Sequence, residues 1–138
     1  MTDRTAWDRA VAAWTAASMI REAAEKFGPG DRIEYENTLN NIILEREFGK
    51  REGVKAGTAG HDAFSKESLR YEAENEKYWN TYRDPALEAA QLLVSIAAPD
   101  FAALRFKIDL INEEELHRFK GTENVFELVE ADAIRLAA

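Results

Sequence analysis

The sequence predicts an all-α protein, a compact array of five or six helices, and three observations carry that prediction. Apolar residues recur at spacings of three and four through most of the chain. No run alternates apolar and polar residues as a half-buried strand would. Proline and glycine fall between the periodic stretches and mark their ends. Short connections between neighbouring stretches also suit a bundle containing an antiparallel helical hairpin.

The first helix is expected over Thr5–Phe27. Thr5 and Asp8 resemble a capping box with Asp for Glu, and Ala10, Ala13, Ala17, Ile20, Ala24 and Phe27 form one stripe. Trp7, Val11 and Trp14 widen that stripe, and Gly28-Pro29-Gly30 stops it. A second helix is expected over Asp31–Phe48, capped by Asp31, with Ile33, Tyr35, Leu39, Ile42, Ile43 and Leu44 as its apolar side. Asn37, Asn40 and Asn41 lower its propensity. A third is expected over Ser65–Arg83, capped by Ser65 or Asp62, its charged first half toward water and Tyr78, Trp79 and Tyr82 anchoring its second half.

Asp84-Pro85 fits a cap followed by proline at the first helical position. The helix it opens, to about Ala97, carries Leu87, Ala90, Leu93, Val94 and Ala97, with Leu92 and Ile96 extending the apolar surface nearly all round. This is the expected most buried helix. Pro99-Asp100 opens a fifth, with Phe101, Leu104, Ile108 and Ile111 inward and Arg105 and Lys107 outward. Glu113 to Gly121 reads as short helix or turn. Thr122 caps a last helix on which Val125, Leu128, Val129, Asp132 and Leu136 share a spacing.

Residues 1–138 have the size of one domain, and a chain of this length buries roughly 68% of its unfolded surface without needing a disulfide or metal. The only long glycine-rich stretch is 49–60, GKREGVKAGTAG, expected to be a flexible loop. It is locally basic, with Lys50, Arg51 and Lys55 against Glu52, and is a candidate segment that orders on a partner.

With no cysteine, the chain has no disulfide, Cys-type zinc site, iron–sulfur cluster or cysteine nucleophile. The N-terminal residues lack a signal peptide's basic and apolar regions, and the apolar stretch from Leu92 to Pro99 is far too short to cross a bilayer, so a cytoplasmic protein is expected. A net charge of −8 disfavours direct nucleic-acid binding, which draws on Lys and Arg.

Glu114-Glu115-Leu116-His117 has the Glu-x-x-His spacing of carboxylate-bridged di-iron bundles, but His61 has Thr58 three residues before it, so the second copy is missing. Glu113 and His117 are expected to pair across one turn. The serines lack a nucleophile-elbow context, and the glycines lack a phosphate-loop ending. No catalytic residue, metal ligand or cofactor is therefore assigned.

The aromatic set is richer. Tyr71, Tyr78 and Tyr82 cannot all share one helix face with Trp79 and Leu69, so some leave the intrachain core or widen it. Tyr71, Tyr78, Trp79 and Tyr82, with Lys50, Arg51 and Lys55, are the candidate partner-binding residues.

One stretch carries a resemblance. Ala98-Pro99-Asp100-Phe101-Ala102-Ala103-Leu104-Arg105-Phe106-Lys107-Ile108 resembles an APD-x-x-AL-x-x-K-I/L segment in small uncharacterised helical proteins of alphaproteobacteria and their prophages. Trp7, Ala10 and Trp14 near the start, and Asp132, Arg135 and Leu136 near the end, extend the likeness to about a quarter of the chain. The resemblance implies a helical fold and a bacterial or phage origin, and brings no catalytic residues. Together these readings point to a non-enzymatic interaction protein whose partner is another protein or a second copy of itself. The alternatives are an acidic nucleic-acid mimic that inhibits a DNA-binding protein, and a small-molecule binder or enzyme with an inter-helix pocket.

Overall fold

Glycine and proline set several of the helix ends in the computed structural model, which describes residues 4–138. The fold is all-α. Among the described residues are α1 (Arg4–Phe27), α2 (Pro29–Phe48), α3 (Ala59–Tyr78), α4 (Asp84–Ser95), α5 (Phe101–Glu114) and α6 (Val125–Ala137). Two 3-10 turns, Arg51–Gly53 and Leu116–Arg118, and a π turn, Trp79–Arg83, complete the helical elements. There is no strand among the described residues, and no helix long and apolar enough to cross a membrane.

Several caps differ from the expected ones. Thr5 lies inside α1 rather than ahead of it. Gly28 occupies the cap position of α2 and Pro29 its first helical position, so Asp31 falls in the first turn, where its charge suits the helix dipole. α3 starts well before Ser65, because Thr58 caps it by accepting the His61 N–H at 3.3 Å. Asp100 caps α5, accepting the Ala103 N–H at 2.8 Å and pairing with Arg4. Those two contacts, the N–H bond foremost, hold its carboxyl below the ordinary range. Thr122 is buried and does not cap α6; its hydroxyl donates to the Leu116 carbonyl at 2.7 Å, and Asn124 takes the cap position.

Contacts divide the chain into two compact units. One joins residues 4–20 to Asp84–Ala138. Its core gathers Trp7, Ala10, Ala90, Leu93, Val94, Leu104, Leu110, Ile111, Leu116 and Val125. Burying each of the larger side chains stabilises by roughly 1.5–3 kcal/mol. Trp7 and Trp14 present their rings edge-on to Phe106, at 6.3 and 5.8 Å between centroids. Some residues expected inward are exposed. Leu92 and Phe101 turn to solvent, so α4 and α5 bury narrower stripes than their composition offers. Ile20 and Phe27 are exposed as well, since the covered line of α1 runs through Trp7, Ala10, Trp14, Ala17 and Ala24.

Lys107 reverses the expected direction and is only 1% exposed. Carbonyls at a helix end lack intrahelical donors, and the Lys107 ammonium supplies one to Ile96, just past α4, at 2.6 Å. It also donates to Asp132 Oδ2 at 2.5 Å and lies 5.8 Å from the Trp7 ring centroid. Asp132 accepts further bonds from the Ala98 N–H at 3.3 Å and from Arg135 at 3.0 Å. Arg135 in turn donates to the Ala98 carbonyl at 2.6 Å.

The second unit, Arg21–Arg83, is built on an antiparallel α2–α3 hairpin. Phe48 at the end of α2 meets Gly60 at the start of α3, Asn40 meets Glu67 midway, and Tyr78 meets Gly30 at the far end. Both glycines admit an aromatic ring against the backbone. A β-carbon at Gly60 would lie 3.1 Å from the Phe48 Cβ and ring. Residues 49–58 connect the helices through the first 3-10 turn.

Two stability predictions follow from these contacts. Lys107→Met should cost about 3–5 kcal/mol in denaturant unfolding, because it leaves a buried carboxylate underpaired, and Lys107→Met with Asp132→Leu should recover much of that loss. Gly60→Ala should destabilise by about 1–3 kcal/mol through overpacking against Phe48. Gly53→Ala, whose added carbon meets nothing within 4 Å, should change the thermal midpoint little.

Candidate functional site

The two faces of α2 are unequally furnished. Toward α3 it presents Ile33, Asn37, Asn40, Asn41, Leu44 and Phe48, all buried or half-buried. Toward solvent it presents Tyr35 (66% exposed), Leu39 (43%), Ile42 (43%) and Ile43 (52%). The spacing Tyr35, Leu39, Ile42 lines up one stripe, with Asp31 and Arg46 at its two ends. Phe27, 88% exposed, lines the same surface hollow as Tyr35, so the apolar strip continues past the N-terminus of α2. Weighted by exposure, these five side chains leave roughly 550 Å² of apolar surface uncovered, at the upper end of what monomers show.

The sequence reading grouped Tyr35, Leu39, Ile42 and Ile43 with Ile33 and Leu44 on one side. They divide onto two. The inner side is instead completed by asparagines, and these are bonded. Asn40 donates to Glu67 at 3.1 Å and Asn41 to Asn37 at 3.3 Å. Glu67 is held by both guanidinium arms of Arg70 at 2.8 Å, and Arg70 also approaches Glu36 at 3.6 Å. The Arg70 bond, with help from Asn40, holds the Glu67 pKa below its ordinary value of 4.5. A spacing of Ile33, Asn37, Asn40 and Leu44 was the available signal that the inner face was polar.

The four candidate aromatics gather around the end of α3 and the π turn. Tyr71 donates its hydroxyl to Glu34, and that bond raises its pKa. Tyr78 is buried against Gly30, and burial, with Glu25 nearby, raises its pKa too. Its hydroxyl has no partner in hydrogen-bonding geometry. Tyr82 leans on the Tyr78 ring at 5.6 Å. Trp79 is partly exposed, with the Arg83 guanidinium 4.0 Å over its ring. An open cleft of about 290 Å³ lies here, lined by Glu25, Asp31, Glu34, Tyr78, Trp79 and Arg83 among others. The ring face that could receive a ligand cation already holds Arg83.

Lys50, Arg51 and Lys55 do not join that group. They precede the N-terminus of α3, and a helix of 20 residues separates them from its aromatic end by about 30 Å. Arg51 donates to Ser68 at 2.8 Å and approaches the Phe64 ring; Lys50 and Lys55 are exposed. His117 stacks on Phe126 at 5.5 Å. The left-handed Glu115 breaks the helix between Glu113 and His117, so the expected one-turn spacing does not hold. No group of three or more His, Cys, Asp or Glu side chains among the described residues is placed to hold a metal.

No family model, curated protein or solved structure matches this chain.

The Glu67 contacts predict an acid limb in stability. With its folded pKa below 4.5, Glu67 contributes fully above pH 4.5, and the contribution falls away as pH drops through the lower folded value. Urea unfolding between pH 3 and 6 should show this slope, and Glu67→Gln should flatten it.

Proposed function

We propose that this chain is a helical interaction protein that works by binding another protein through the outward face of α2. The observation that carries this reading is the stripe of Tyr35, Leu39 and Ile42, with Ile43 beside it, left exposed on the side of α2 away from α3. Apolar strips of this extent are among the largest that monomers expose and are often functional. Aromatic residues such as Tyr35 and Phe27 bring large contact area at low entropic cost. The likeness of Ala98–Ile108 and its companion residues to alphaproteobacterial and prophage proteins supports placing this role in a bacterium or its phage.

The test is affinity capture of the tagged full-length chain from its native host, beside an Ile42→Glu variant. The reading expects a specific protein, or the chain itself, to be recovered by the unaltered chain and lost by Ile42→Glu. Recovery of nothing specific, or the same recovery by both, overturns it.

A further inference from the structure

We propose that the occupant of the α2 face is a second copy of this chain, packed antiparallel across a two-fold axis that passes between Thr38 and Leu39. The inference rests on the interaction reading above and adds the identity and geometry of the partner.

Charge decides the geometry. Asp31 and Arg46 stand on the stripe at opposite ends of α2, both exposed and neither in an ion pair with any described residue. In an antiparallel pair centred between Thr38 and Leu39, Asp31 faces Arg46 of the second copy at each end, since 31 and 46 lie symmetrically about that point. Tyr35 then faces Ile42 of the second copy, and Leu39 packs beside the axis. A parallel pair would set Asp31 against Asp31 and Arg46 against Arg46. Antiparallel alignment also brings each helix's positive end to the other's negative end. The stripe is thus self-complementary in one orientation, as a two-fold interface requires.

Area supports the same occupant. Two strips of roughly 550 Å² give up to about 1,100 Å² of apolar surface when fully covered, and the polar rim of Asp31, Thr38 and Arg46 brings that upper limit to the low end of the range of about 1,200–2,000 Å² typical of stable interfaces. The hairpin beneath leaves this face clear, because α3 packs on the opposite, asparagine-bearing side of α2.

The experiment is sedimentation equilibrium of the purified full-length chain over a concentration series, with circular dichroism confirming that each variant stays helical. The unaltered chain should be dimeric and Leu39→Glu monomeric. Asp31→Arg and Arg46→Asp should each weaken dimerisation about tenfold, and the double exchange should restore it, because each alone creates like-charge contacts at both ends. A chain that is monomeric throughout overturns the proposal, as does a dimer indifferent to Leu39→Glu or to the charge exchange. A monomer that nevertheless captures a different protein, lost in Ile42→Glu, overturns the second copy while leaving the interaction reading intact.

Discussion

The buried pair of Lys107 and Asp132 is the contact on which the unit formed by α4, α5 and α6 depends. Taking both ions out of water costs several kcal/mol each, and only full pairing offsets that. Here the pairing is complete. The ammonium is shared between a carbonyl at the end of α4 and a carboxylate on α6, with an indole face nearby. The carboxylate is shared in turn with a backbone N–H and a guanidinium. Apolar contacts among Leu93, Leu110 and Ile111 supply the bulk of the burial energy, but they are non-directional. The directional bonds of the pair select one arrangement of the three helix ends.

In the other unit the division of labour runs across a single helix. The inner face of α2 mixes three asparagines with Ile33, Leu44 and Phe48, and it gains a specific partner through bonds such as Asn40 to Glu67. On the outer face Tyr35, Leu39, Ile42 and Ile43 remain exposed. The exposed stripe of Tyr35, Leu39 and Ile42 would gain from further burial, since apolar area removed from water stabilises. That uncovered area gives α2 its place in the functional reading.

The existence of the helices and most of their limits were legible in the sequence, since Gly28-Pro29, Gly49 and Pro99-Asp100 act on the backbone locally. Orientation was less legible. α2 is apolar enough on two sides that periodicity alone does not say which side meets α3. Lys107 follows Leu104 by three residues and precedes Ile111 by four, so its position was on the inward line, and only its charge argued against it. Asp132 on the apolar stripe of α6 was the matching signal. The candidate aromatics were legible as a group, but their separation from Lys50, Arg51 and Lys55 depended on where α3 begins, which turned on the cap at Thr58.

The division of contacts has a consequence for how the chain assembles. The hairpin is made of contiguous residues joined by a short connection. The other unit needs residues 4–20 to rejoin Asp84–Ala138 across the whole of Arg21–Arg83. Closing that longer span costs about 1–2 kcal/mol more chain entropy than closing the hairpin. Local pairing is therefore favoured to come first during synthesis. Trp7 and Trp14, made well before it, stay without their ring partner until Phe106 has been added.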